Sequence, residues 1–87
     1  MEDPLEKLIA TRLKELNISF RRDERTSSGV IDFYLPDYGI FIEVCQFYTD
    51  RKIKQLEGIE NVILIQGLRT AEAFVKLLGL GMERVGE

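Results

Sequence analysis

Asp32 and Glu43 are the side chains whose types and spacing point most directly to chemistry. The segments Val30-Ile31-Asp32-Phe33-Tyr34-Leu35 and Ile40-Phe41-Ile42-Glu43-Val44-Cys45 are rich in β-branched and aromatic residues. Pro36-Asp37-Tyr38-Gly39 between them is turn chemistry, so the stretch reads as a β-hairpin. With Leu35 paired to Ile40, Asp32 falls directly opposite Glu43. Opposed residues have Cα atoms roughly 4.5 to 5.5 Å apart, a separation at which like charges destabilise the pair. A slip of one residue would move Glu43 onto the face that Ile31, Phe33 and Leu35 mark as core, so the apolar pattern resists it. The pair therefore needs a positive partner, and a divalent cation bound by oxygen, Mg2+ or Mn2+, is the simplest one. Such an ion can act as a Lewis acid and make hydroxide from bound water.

The chain has no His and one Cys. That excludes His-dependent nucleophilic triads, His-ligated zinc and haem, internal disulfides and multi-Cys metal clusters. Arg21, Arg22 and Arg25 before the hairpin, with Arg51, Lys52 and Lys54 after it, are either an ordinary solvated charge run or two basic edges that hold phosphates around the acids. Glu6 is explained by a capping box, with metal or water positioning as the lesser reading. Cys45 shares the strand face of Glu43 and reads as a small buried hydrophobe. Among Tyr34, Tyr38, Phe47 and Tyr48, only Tyr48 lies close enough to the acidic pair to suggest base stacking. The net charge of −3 and a pI near 5.0 argue against nonspecific coating of nucleic acid and leave room for a local basic patch.

The elements that must position these residues follow from pattern. Asp3-Pro4-Leu5-Glu6 supplies a cap, a first-turn proline and a capping-box acid, followed by Leu5, Leu8, Ile9, Leu13 and Leu16 at helical spacing, so a helix runs from about Pro4 to Leu16. Ile18 to Arg22 alternates as a short strand before a polar loop, Asp23 to Gly29. After the hairpin, Thr49 caps a short helix to Glu57. Asn61 to Gln66 is a nearly continuous apolar run, expected as a central strand buried on both faces. Thr70 starts a last helix, with Gly79 ending it and Leu80 to Glu87 as a tail. The 87 residues form one domain, an α/β sandwich with a mixed sheet in the order helix, three strands, helix, strand, helix.

This pattern resembles the PD-(D/E)XK nuclease superfamily. Asp32 and Glu43 match its acidic pair, and the DFYLP and IEV segments around them look like those of small very-short-patch-repair-like endonuclease domains. Glu6, Asp50 and Arg51 match further positions of those domains, and the resemblance spans about Leu5 to Gln66. It implies a restriction-endonuclease-like αβββαβ core, a mixed central sheet flanked by helices, with a C-terminal helix added. It also implies metal-dependent hydrolysis of DNA, with Asp32 and Glu43 as catalytic metal ligands. Cys45 stands where the superfamily usually has lysine, so Lys52 or Lys54 on the following helix is expected to supply that cation. The alternative is a catalytically degenerate fold kept for DNA binding or dimerisation.

A chain this small is expected to gain from forming a homodimer. The absence of an apolar leader or long apolar run predicts a cytoplasmic protein with no membrane partner. No small-molecule cofactor is expected. A charged fraction of 31% with only two Asn and three Gln leans towards a thermophilic source.

Overall fold

The structure is a computed structural model that describes residues 3–47 and 49–85. Asp3 begins α1 (Pro4–Glu15) as its N-cap, with Oδ1 accepting the backbone N–H of Leu5 at 2.8 Å and of Glu6 at 3.4 Å. Leu5, Ile9 and Leu13 recur at helical spacing and are buried together. Asn17 then turns the chain with a φ of 57°, a left-handed conformation that Asn tolerates better than most residues.

Three strands follow, β1 (Arg21–Thr26), β2 (Gly29–Leu35) and β3 (Ile40–Cys45). β1 corrects the sequence expectation of a strand at Ile18–Arg22 and a loop from Asp23. The strand lies further along, in Arg-Arg-Asp-Glu-Arg-Thr, which has no apolar alternation to announce it. Antiparallel pairing with β2, from Arg21–Tyr34 to Thr26–Gly29, makes it a strand. The β2–β3 register is the expected one, with Leu35 opposite Ile40 and Phe33 opposite Ile42. Gly39, at φ 65°, completes the turn and donates its N–H to the Leu35 carbonyl at 2.8 Å.

Thr49 caps α2 (Asp50–Leu56), whose only buried residue is Leu56. Next come β4 (Val62–Gln66) and α3 (Gly67–Val85). The order β1-β2-β3-β4, with β4 parallel to β3, gives a four-stranded mixed open sheet. β4 is therefore an edge strand and not the central strand expected from its apolar run; Ile63 is 38% exposed. α3 also departs from expectation, since it starts at Gly67 and continues through Gly79. That glycine is buried against the guanidinium of Arg12, whose Nε donates to the Val75 carbonyl at 3.3 Å, so Gly79 serves helix packing and not helix termination.

The core joins α1, the sheet and α3 through Leu5, Ile9, Leu13, Phe33, Ile42, Ile65 and Ala71. Burying such side chains is the main favourable term in holding a domain of this size together. Among the described residues no helix is long and apolar enough to cross a membrane.

Candidate functional site

The backbone ladder between β2 and β3 runs through Phe33–Ile42, and the next position in that register sets Asp32 against Glu43. There the side chains take over the cross-strand bonding. The Asp32 N–H donates to Glu43 Oε1 at 3.1 Å, and the Val44 N–H donates to Asp32 Oδ2 at 2.8 Å. Each carboxyl group thus bonds the backbone of the opposite strand, which fixes both acids without relying on long rotamers.

A third acid completes a row across the sheet. Asp23 occupies the β1 position opposite Asp32, between the pairs Arg22–Phe33 and Glu24–Ile31, and has a left-handed φ of 52°. With Glu6 from α1, carboxylate oxygens of Asp23 and Asp32 form a set lying within 4.8 Å of one another. Asp23 was missed in the sequence because it fell in an expected loop. Its strand register, visible only once β1 is placed, is the signal that finds it. Glu6, expected as a capping-box acid, instead accepts from Arg22 through Oε1 at 3.3 Å.

Lys52 brings positive charge. Its Nζ lies 2.9 Å from Glu43 Oε2, and Glu43 is only 2% exposed. The Thr49 hydroxyl accepts the Lys52 N–H at 3.1 Å, so the cap that starts α2 also anchors the residue carrying this ammonium. Lys54, the other expected candidate, is exposed and makes no ion pair with either acid.

The electrostatics follow from this arrangement. Burial, then the hydrogen bond to Glu43, pushes the Asp32 carboxyl from its ordinary 3.8 up to about 8; the Val44 N–H opposes the rise, and the Glu43 and Glu6 charges add to it. Burial also pushes Glu43 upward, but the hydrogen bonds from Asp32, Lys52 and the Asp32 N–H outweigh it and hold Glu43 below its ordinary range. Near neutrality the pair keeps one proton, on Asp32, while Glu43 is a carboxylate facing an ammonium. Hydrogen bonding to Glu43 raises Lys52, and burial raises the Cys45 thiol, so Cys45 stays protonated and is no substitute for a cation.

This donor set suits a hard divalent cation, because every ligand atom on offer is a carboxylate oxygen. The proton on Asp32 is held chiefly by burial and by the hydrogen bond to Glu43, with the Glu43 and Glu6 charges adding to it. Asp32, Asp23 and Glu6 would present oxygens on one side, with Glu43 adjoining through Asp32.

The arginines expected to grip phosphate are divided in their contacts. Arg21 pairs with Glu24 at 3.2 Å and lies over the Tyr34 ring, while Arg22 lies over the Phe33 ring beside Glu6. Arg25 and Arg51 are exposed on β1 and α2. Tyr48, the candidate for stacking, lies outside the described residues. Comparisons with family models, curated proteins and solved structures find no match to this chain.

Proposed function

We propose that this chain is a small Mg2+- or Mn2+-dependent nuclease that hydrolyses DNA phosphodiester bonds on a restriction-endonuclease-like fold. The observation that carries the reading is the convergence of Asp32, Glu43 and the Lys52 ammonium from three separate elements. Asp32 and Glu43 would hold the ion; the carboxylates within 4.8 Å of that of Asp32 are those of Glu6 and Asp23, while Glu43 already accepts from the Asp32 N–H and from Lys52. When bound, the ion would supply Lewis-acid polarisation of the phosphate and a water acidic enough to attack it. Lys52, positioned by Glu43, would offset charge growing on the phosphate in place of the lysine that Cys45 replaces. Arg25 and Arg51 would hold flanking backbone phosphates as exposed cations.

Cleavage of supercoiled plasmid with Mg2+ or Mn2+, comparing the unaltered chain with Asp32→Ala and Glu43→Ala, tests the proposal. Metal-dependent nicking that both substitutions abolish supports it. Cleavage that survives chelation or either substitution refutes it. A second reading, a degenerate fold retained for DNA binding or dimerisation, is favoured by the neutral thiol of Cys45. Calorimetric titration separates the two, since a non-catalytic scaffold would show no millimolar or tighter Mn2+ site dependent on Asp32 and Glu43.

A further inference from the structure

The two edges of the sheet are chemically opposite. β1 is charged at five successive positions, Arg21 to Arg25, and interrupted by the left-handed Asp23, which are the features that keep an edge from pairing with another chain. β4, Val62-Ile63-Leu64-Ile65-Gln66, has no charge, no proline and no left-handed residue within it, and no strand pairs with its outer side among the described residues. Its backbone polarity can be assigned. The Phe41 N–H donates to the Asn61 carbonyl at 2.9 Å, so Asn61, Ile63 and Ile65 turn their backbone groups to β3. Val62, Leu64 and Gln66 therefore direct N–H and C=O outward.

We propose that this edge pairs with β4 of a second copy of the chain, antiparallel about a twofold axis at Leu64, so that two four-stranded sheets become one continuous sheet. The proposal rests on this edge alone and not on the nuclease reading. In this register Leu64 faces its own counterpart, Val62 faces Gln66, and Ile63 faces Ile65. Every outward backbone group of Val62, Leu64 and Gln66 then finds a partner, and no like charges meet across the seam.

The flanks identify a copy of this chain as the occupant. Glu60 lies just before β4 and Arg69 just after it; both are exposed, and neither makes an ion pair among the described residues. Antiparallel pairing brings Glu60 of each copy to the end of the seam where the other copy's Arg69 lies in the first turn of α3. Opposite charges thus meet at both ends, as an isologous interface requires. A parallel arrangement would place Glu60 against Glu60 and Arg69 against Arg69.

Sedimentation equilibrium on the full chain, with circular dichroism to verify folding, tests the proposal in Glu60→Arg, Arg69→Glu and the double exchange. The expected result is a dimer weakened by about tenfold in each single reversal, where two symmetric pairs turn repulsive, and recovered in the double exchange. A Leu64→Cys substitution in a Cys45→Ala background reports the axis directly, because oxidation should link the two copies through the introduced thiols. A chain that is monomeric at every concentration overturns the proposal. So does a dimer that the double exchange fails to restore, or one that the introduced thiol does not cross-link.

Discussion

At Glu43 one carboxylate oxygen accepts the Asp32 N–H and the other holds Lys52, while Lys54, two positions along the same short helix, is left in solvent. On the proposed nuclease reading, Lys52→Ala should lower plasmid cleavage by about a hundredfold or more, the range of a lost general acid, base or charge-stabilising group, whereas Lys54→Ala should stay close to the unaltered rate. Single-turnover cleavage rates check both. Asp32 also predicts a pH dependence. Its folded pKa of about 8 lies above its ordinary 3.8, so the folded protein holds the extra proton across that window. The associated stability is fully present below about 3.8, declines as pH rises, and is gone above about 8. Glu43 acts in the opposite sense, but its lowered pKa confines that effect to acid pH. Thermal unfolding in chelator should thus show a midpoint that falls from pH 6 to pH 9, and Asp32→Asn should flatten the slope. The facing of Asp32 and Glu43 was legible in the sequence because a hairpin turn and an apolar alternation fix register. The choice of Lys52 over Lys54 was not, because it depends on how α2 is rotated against the sheet.

At the scale of elements, Thr49 ties local folding to the site. Thr49→Ala should cost about 1 kcal/mol as a lost N-cap and reduce cleavage in the same direction as Lys52→Ala, though less; Thr49→Asn should restore both. Urea unfolding and the plasmid assay read the two effects. The helices and the hairpin were readable because capping residues and apolar spacing act within a few residues of one another. The position of β1 is not legible in the sequence, since Arg-Arg-Asp-Glu-Arg-Thr becomes a strand only through β2, a case of tertiary pairing overriding propensity. Gly79 misled for a related reason: a glycine that ends a helix and one that admits Arg12 from a neighbouring helix are the same letter. The apolar run of β4 is legible as a strand, but its place in the sheet is decided by which strands lie beside it, and among the described residues none pairs with its outer side.

For the molecule as a whole, stability is concentrated where α1 and α3 meet the sheet. Phe33 is fully buried there, edge-on to Phe20 with ring centroids 5.8 Å apart. Phe33→Ala should remove about 3 to 5 kcal/mol, a large part of the roughly 5 to 15 kcal/mol typical of a small domain, and should lower the thermal midpoint steeply in calorimetry. α2 stands apart from that mass, since Leu56 alone is buried and Lys52 reaches the sheet by a single ion pair. An element so lightly moored opens well before the rest of the protein unfolds. Amide hydrogen exchange in α2 should consequently outpace that in α1, and the ammonium beside Glu43 becomes a part-time resident whose occupancy can be tuned without disturbing the scaffold beneath it.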